Sequence, residues 1–348
     1  MTMSKWQRIE ATIRGEAVDR TPLSMWVHYH LQDRGPQRLA ESTYRLYREF
    51  DLDLLKLTPS GLYSVQDWGA AIRYSRHDWV APVMNEPVIR SAADWFELGE
   101  LDVNQGALER ELEMIQAVKQ RVGDEAPILM TIFSPLTLAW KLLGNEASPA
   151  LIQYYLEEEP EALHAALATI TRVTRNFVSA SLQAGVDGFF FASQLANFEL
   201  LSREEQYREF GRRYDLEILQ HARQQGARVN MLHLCRSQLM FSQLADYPVE
   251  FINWNNHGSG TSIRQARALT NTALSGGLDN QSLHLLNPLQ VSNMVRAAVQ
   301  EGSGGGFLLA PTCVIDARTP GDNLQAIRQT LQQLQQLQQL QQREPQVA

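Results

Sequence analysis

The chain carries two cysteines, Cys235 and Cys313, and the first closes the tripeptide His233-Leu234-Cys235 at the end of an apolar run, Val229–Leu234. Side chains two apart on a strand point to the same side, so this imidazole and thiol can face one ion. Cys313 follows another apolar run, Phe307–Ala310. If both runs are strands of one parallel sheet, a nitrogen and two sulfurs meet at its C-terminal edge. That donor set suits Zn²⁺, and three protein ligands leave a fourth position open for chemistry. Spacing alone also allows a plainer outcome, with two buried thiols packed as small hydrophobes and His233 as a core histidine.

Other polar residues sit at similar run ends. His28 and His30, in the sequence MWVHYH, share a face and suit acid–base help, a further metal ligand or hydrogen bonding in a pocket. Asn255, Asn256 and His257 follow the run Phe251–Trp254 and precede Gly258-Ser259-Gly260, a stretch equally fit for ligand contacts and for a turn. Asp279, in GGLDN, can orient a ligand or cap the following helix. Ser193 and Gln194 close the run Gly188–Ala192. We assign His28, His30, His257 and Asp279 to catalytic support, and Ser193, Gln194, Asn255 and Asn256 to binding a cofactor.

These residues share a position because eight short apolar runs alternate with amphipathic stretches, the pattern of repeated βα units. The runs are Leu23–Tyr29, Leu54–Thr58, Ile128–Phe133, Gly188–Ala192, Val229–Leu234, Phe251–Trp254, Ala273–Leu278 and Phe307–Ala310. Eight such units predict an α/β fold, a (β/α)₈ TIM barrel, whose chemistry lies at the C-terminal ends of the strands. A single domain over residues 1–330 accommodates it. Residues 60–105, with Trp68, Trp79 and Trp95, read as a long loop with small strands of its own, placed over the barrel top. Residues 331–348 read as a Gln/Leu-rich helical tail; Leu at every third position drifts around a helix and builds no heptad seam. Gly302-Ser303-Gly304-Gly305-Gly306 precedes a run instead of following one, so it reads as a turn and not as a phosphate cradle.

Composition narrows the function classes. Of 348 residues, 44% are hydrophobic and 20% charged, as in ordinary globular enzymes, and the net charge of −8 argues against a nucleic-acid partner. No apolar stretch of membrane-spanning length and no export signal is evident. Two cysteines build no disulfide framework. The expected setting is the cytoplasm.

The order of motifs resembles the uroporphyrinogen decarboxylase superfamily from about residue 5 to residue 330. RIEATIRGEAVDRTPL is similar to the family opening, SPLTLAW to the third-strand motif, AGVDGFFF followed by LLSREEQYREF to the fourth-strand region, and TPGDNLQAI to the final helix. Within the superfamily, HxC after the fifth strand and a cysteine after the eighth resemble the zinc set of the methylcobamide:coenzyme M methyltransferases. The resemblance implies His233, Cys235 and Cys313 as zinc ligands. It also implies methyl transfer between a corrinoid, methylcobalamin carried by a partner protein, and a small thiol acceptor. No D-x-H-x-x-G corrinoid motif occurs in the chain, so a separate corrinoid protein is expected. The decarboxylase branch carries an arginine pair near the first strand and a histidine after the eighth. Here those places read SMWVHYHLQD and APTCVID, which makes a porphyrinogen substrate unexpected. A family strand end that is usually acidic reads Ser193-Gln194, so the acceptor is expected to differ from coenzyme M. Two rival expectations remain: a carboxy-lyase acting on a non-porphyrin carboxylate, and a non-catalytic barrel that holds a ligand.

Overall fold

The computed structural model describes residues 2–144 and 149–343, with residues 341–343 by backbone alone. Seven of the apolar runs form parallel strands: β1 (Leu55–Leu57), β4 (Ile128–Phe133), β5 (Gly188–Ser193), β6 (Met231–Leu234), β7 (Phe251–Trp254), β8 (Ala273–Leu278) and β9 (Phe307–Pro311). They pair in the order β1-β4-β5-β6-β7-β8-β9. Every residue of these strands is buried, as expected of a parallel sheet covered by helices. Long helices alternate with the strands, among them Gly106–Val122, Pro160–Ala184, Arg213–Gln224 and Pro288–Gly302. The architecture is TIM-barrel-like.

The first expected strand, Leu23–Tyr29, differs. It makes single parallel bridges, Leu23 with Leu309 and Val27 with Ile315, in place of a continuous ladder. On its other side Leu23 accepts the Asp53 N–H at 2.7 Å. The reason is local. Pro22 has no N–H, and the Leu23 N–H goes to the Asp53 carboxylate at 2.8 Å instead of to a strand carbonyl. The same buried carboxylate takes Arg8 at 2.5 Å and Arg20 at 2.5 Å, so charge-assisted bonds replace a stretch of ladder.

Within residues 60–105 the chain forms a short antiparallel hairpin, β2 (Ile72–Arg73) with β3 (Val83–Met84), flanked by helices Tyr63–Gln66 and Ala92–Phe96. Trp95 is buried and Trp79 exposed. The final helix runs Gly321–Arg343, with Ile327 and Leu331 buried but Leu337 and Leu340 exposed, so the leucines do turn away from the core. The end of the expected tail, 344–348, lies outside the described residues. The glycine turn before β9 is a close approach: a Cβ on Gly306 would stand 2.0 Å from the Thr12 carbonyl oxygen. No helix among the described residues is long and apolar enough to cross a membrane.

Candidate metal centre

Strand register assembles the site. His233 on β6 stands opposite Asn253 on β7, and Asn253 opposite Ser275 on β8. Asn253 is fully buried, and its Nδ2 donates to the carbonyls of Ser275 and Pro311, both at 3.1 Å. Those two bonds fix the amide orientation. Its Oδ1 is then the atom 2.6 Å from His233 Nδ1. An amide oxygen only accepts, so Nδ1 carries the hydrogen and Nε2 keeps its lone pair for a ligand. Strand pattern reasoning missed Asn253; its one signal is a carboxamide inside the apolar tetrapeptide FINW.

Cys235 follows β6 directly, its N–H donating to the Ser193 carbonyl at 3.3 Å. The next residue, Arg236, takes φ +77°, a left-handed conformation costly for a non-glycine residue. Cys313 follows β9, held through its neighbour Thr312, whose N–H donates to the Leu278 carbonyl at 2.9 Å and whose hydroxyl donates to Asn280 Oδ1 at 2.8 Å. One ligand atom from each of His233, Cys235 and Cys313 lies within 4.8 Å of the others. Two ligands of one tetrahedral zinc stand roughly 3.5–4 Å apart, given bonds of about 2.0–2.3 Å. Small side-chain rotations close that difference, and an imidazole with two thiols fits zinc by chemistry as well. As thiols, the pair shares a proton unequally. Cys313 is held well below the ordinary thiol range by the Cys235 hydrogen bond and by His233, whereas the bond to Cys313 and burial push Cys235 well above it.

Two buried lysines flank this cluster. The Lys56 ammonium lies 4.5 Å from the Phe190 ring centre, and Phe190 stacks on His233 at 4.9 Å. Lys141 lies 4.5 Å from the Phe133 ring centre. Neither has a carboxylate within ion-pair distance among the described residues. Burial pulls Lys56 down to about 7, opposed by Cys313 and Cys235, and pulls Lys141 down to about 8, opposed by Cys235. Burial thus disfavours the charged form of both lysines, and an ionised thiolate in the cluster would favour it. A lone lysine in the runs LLKLT and LTLAWKLL was their only trace in the sequence.

A cavity of about 400 Å³ is lined by His28, His30, Asp78, Trp79, His284 and Val314, the residue after Cys313, among others; Cys313 itself does not line it. The 60–105 segment thus contributes Asp78 and Trp79 to its wall. His28 and His30 stack at 4.7 Å, and His30 Nδ1 lies 3.0 Å from Asp33, a partner that sequence reasoning missed. A larger cavity, about 570 Å³, lies among Lys5, Arg8, Arg20 and Arg328. Its first three cations are already paired with Asp51, Asp53 or Asp19, so it offers less chemistry.

The remaining expected residues take up other contacts. His257 Nε2 lies 3.2 Å from the Gly277 carbonyl oxygen, and Asn256 Oδ1 accepts the Gly277 N–H at 3.0 Å. Gly277 has φ +96°, and a Cβ there would stand 2.5 Å from Ala298 Cβ, so glycine is required. Asn255 caps its own turn through the N–H groups of His257 and Gly258. Asp279 accepts from the Gln281 N–H at 3.1 Å and the Ser282 hydroxyl at 2.6 Å, as a turn cap does. Ser193 Oγ lies 3.2 Å from the Tyr207 hydroxyl, and the Gln194 N–H donates to Thr137. None of these six is in the three-residue cluster.

Comparison with known proteins agrees with this architecture. The family model described as "Uroporphyrinogen decarboxylase (URO-D)" matches residues 4–334. Uroporphyrinogen decarboxylase of Coxiella burnetii is 24% identical, covering 93% of this chain and 93% of its own. A methylcobamide:CoM methyltransferase, MtaA of Methanosarcina barkeri, is 25% identical over 62% of this chain and 61% of its own. Among solved structures, a methyltransferase from Methanosarcina mazei superposes with a TM-score of 0.80 at 20% identity, covering 95% of this chain and 99% of that one.

Proposed function

Since the chain belongs to the uroporphyrinogen decarboxylase family, we propose that it is a methyltransferase of that family, moving a methyl group between a corrinoid and a thiol. The observation that carries this reading is the convergence of His233, Cys235 and Cys313 on one point. These three residues would hold Zn²⁺, which supplies a Lewis acid that keeps an acceptor sulfur ionised at neutral pH. The chain's own residues do the rest. Asn253 fixes the His233 tautomer, and Lys56 and Lys141 offset the surplus negative charge of thiolates gathered in one place.

The cavity lined by Val314, the residue after Cys313, has room for a small thiol but not for a corrinoid, so the methyl donor is presented from outside by a partner corrinoid protein. His28 and His30 line the acceptor's path; His257, Asn255, Asn256, Ser193 and Gln194 lie at other strand ends, and Asp279 holds a neighbouring turn. In this reading Leu23–Tyr29 is the eighth stave of a closed barrel, and a reducing cytoplasm keeps both thiols free.

A carboxy-lyase reading draws support from the decarboxylase relatives matched over nearly their full length. Against it, the cavity lining among the described residues contains Asp78 and Asp316 but neither lysine nor arginine, a poor grip for a polycarboxylate. Zinc content and methyl transfer from methylcobalamin to a panel of thiols test the proposal. Zinc-free protein, or zinc protein without turnover on any thiol, would count against it.

A further inference from the structure

The cavity wall holds a second constellation that metal binding does not use. His30 is buried, its Nδ1 lies 3.0 Å from Asp33 Oδ2, and the Asp33 side chain is wholly buried. An ionised carboxylate only accepts, so Nδ1 carries the hydrogen and Nε2 keeps a lone pair, the arrangement of a histidine set up as a base. Burial pushes the Asp33 carboxyl up and the His30 hydrogen bond pulls it back.

The dyad shares a cavity wall with the two residues that follow Cys313. Val27 bridges Ile315, two residues past Cys313, and Val314 and Ile315 line the same cavity as His28 and His30. His28 stacks on His30 with rings 17° from parallel. Burial holds His28 well below the ordinary histidine range, helped by His30, Lys56 and Lys141, so it stays neutral. The other charged groups near the dyad are Arg110 and Asp78, felt by Asp33, with Glu111 paired to Arg110, and Asp316 and His284 on the cavity wall.

Resting on the methyltransferase reading, we propose that His30, oriented by Asp33, takes the proton of the acceptor thiol as it enters the site. The S–H bond breaks, its electron pair stays on sulfur as the thiolate, and the proton forms the Nε2–H bond of a His30 imidazolium paired with Asp33. Later loss of that proton to water resets the dyad. The need is quantitative: a thiol of pKa about 8.5 is only about 3% ionised at pH 7, so a site that waited for free thiolate would fill slowly.

The test uses the full chain loaded with Co²⁺ and 2-mercaptoethanol as probe, following thiolate-to-cobalt absorption by stopped flow from pH 7 to 10. In the wild type the binding rate should vary less than threefold between pH 7 and 9. In His30→Gln it should follow the free thiolate, rising about tenfold per pH unit well below a thiol pKa of about 8.5, about thirtyfold in all, and converging with the wild type near pH 10. Asp33→Asn, a near-isosteric change, should show the same slope, because an amide nitrogen donating to Nδ1 moves the hydrogen onto Nε2. A merely structural role for His30 would lower the rate at every pH without convergence. A flat profile in both variants, or a loss independent of pH, overturns the proposal while leaving the methyltransferase reading intact. Absence of the thiolate absorption at every pH in the wild type overturns both.

Discussion

Asn253 is a small residue with two separable duties, and substituting it divides them. Asn253→Ala removes the acceptor of the His233 Nδ1–H and strands the carbonyls of Ser275 and Pro311. Losing the partner that orients a metal-ligating histidine typically weakens metal affinity by about 10–100-fold, or about 1.4–2.7 kcal/mol. Each stranded buried carbonyl costs about 1–3 kcal/mol of stability. Asn253→Ala should therefore bind zinc more weakly and also unfold more easily. Asn253→Asp keeps an oxygen for His233 but turns a second oxygen toward two carbonyls. It should hold zinc to within about threefold, a carboxylate being an equally good partner for the imidazole, and still lose stability. Zinc affinity is read by competition with a chromophoric chelator, and stability by denaturant unfolding. Unchanged zinc affinity in Asn253→Ala, or equal losses in both variants, would refute the assignment of Asn253 as the residue that aims His233.

Cys313→Ala should fold normally, lose most bound zinc and slow methyl transfer by about a hundredfold or more, whereas Cys313→His should fall between it and the wild type; metal analysis with initial rates checks the order. Uroporphyrinogen should not be consumed, which an assay for coproporphyrinogen decides. Asp215 accepts from the hydroxyls of Tyr207 at 2.6 Å and Tyr247 at 3.0 Å, and burial pushes its carboxyl up to about 7. An acid raised on folding keeps its stabilising proton below the unfolded value near 3.9 and gives up that advantage as pH rises through the folded one. Asp215→Asn should therefore gain stability relative to the wild type between pH 5 and pH 8, and identical pH profiles in the two proteins would contradict this.

Much of the site was legible because chemistry and strand periodicity coincide. His233 and Cys235 face one way because they stand two apart, and Cys313 joins them because β9 is parallel to β6. Asn253, Asp33, Lys56 and Lys141 were less visible. What binds Asn253 and Lys56 to the cluster is which residue stands opposite which across several strands, and a linear pattern of apolar runs does not specify register. Asp33 owes its role to a turn that folds it back under His30. The first strand shows the converse limit: Leu23–Tyr29 has a strand's composition, yet the Asp53 side chain takes the Leu23 N–H and interrupts the ladder. Asp279 illustrates an ambiguity that only contacts resolve, since a carboxylate after a strand suits a ligand and a turn equally, and here it accepts from Gln281 and Ser282.

The claim on which all else depends is that His233, Cys235 and Cys313 hold one zinc ion. X-ray absorption at the zinc edge of protein purified without chelators measures it directly. The expected result is about one zinc per chain, with two sulfurs at about 2.3 Å and a nitrogen at about 2.0 Å, the sulfur count falling to one in Cys313→Ala. Protein that transfers methyl groups without zinc, or zinc bound through oxygen and nitrogen alone, would contradict it.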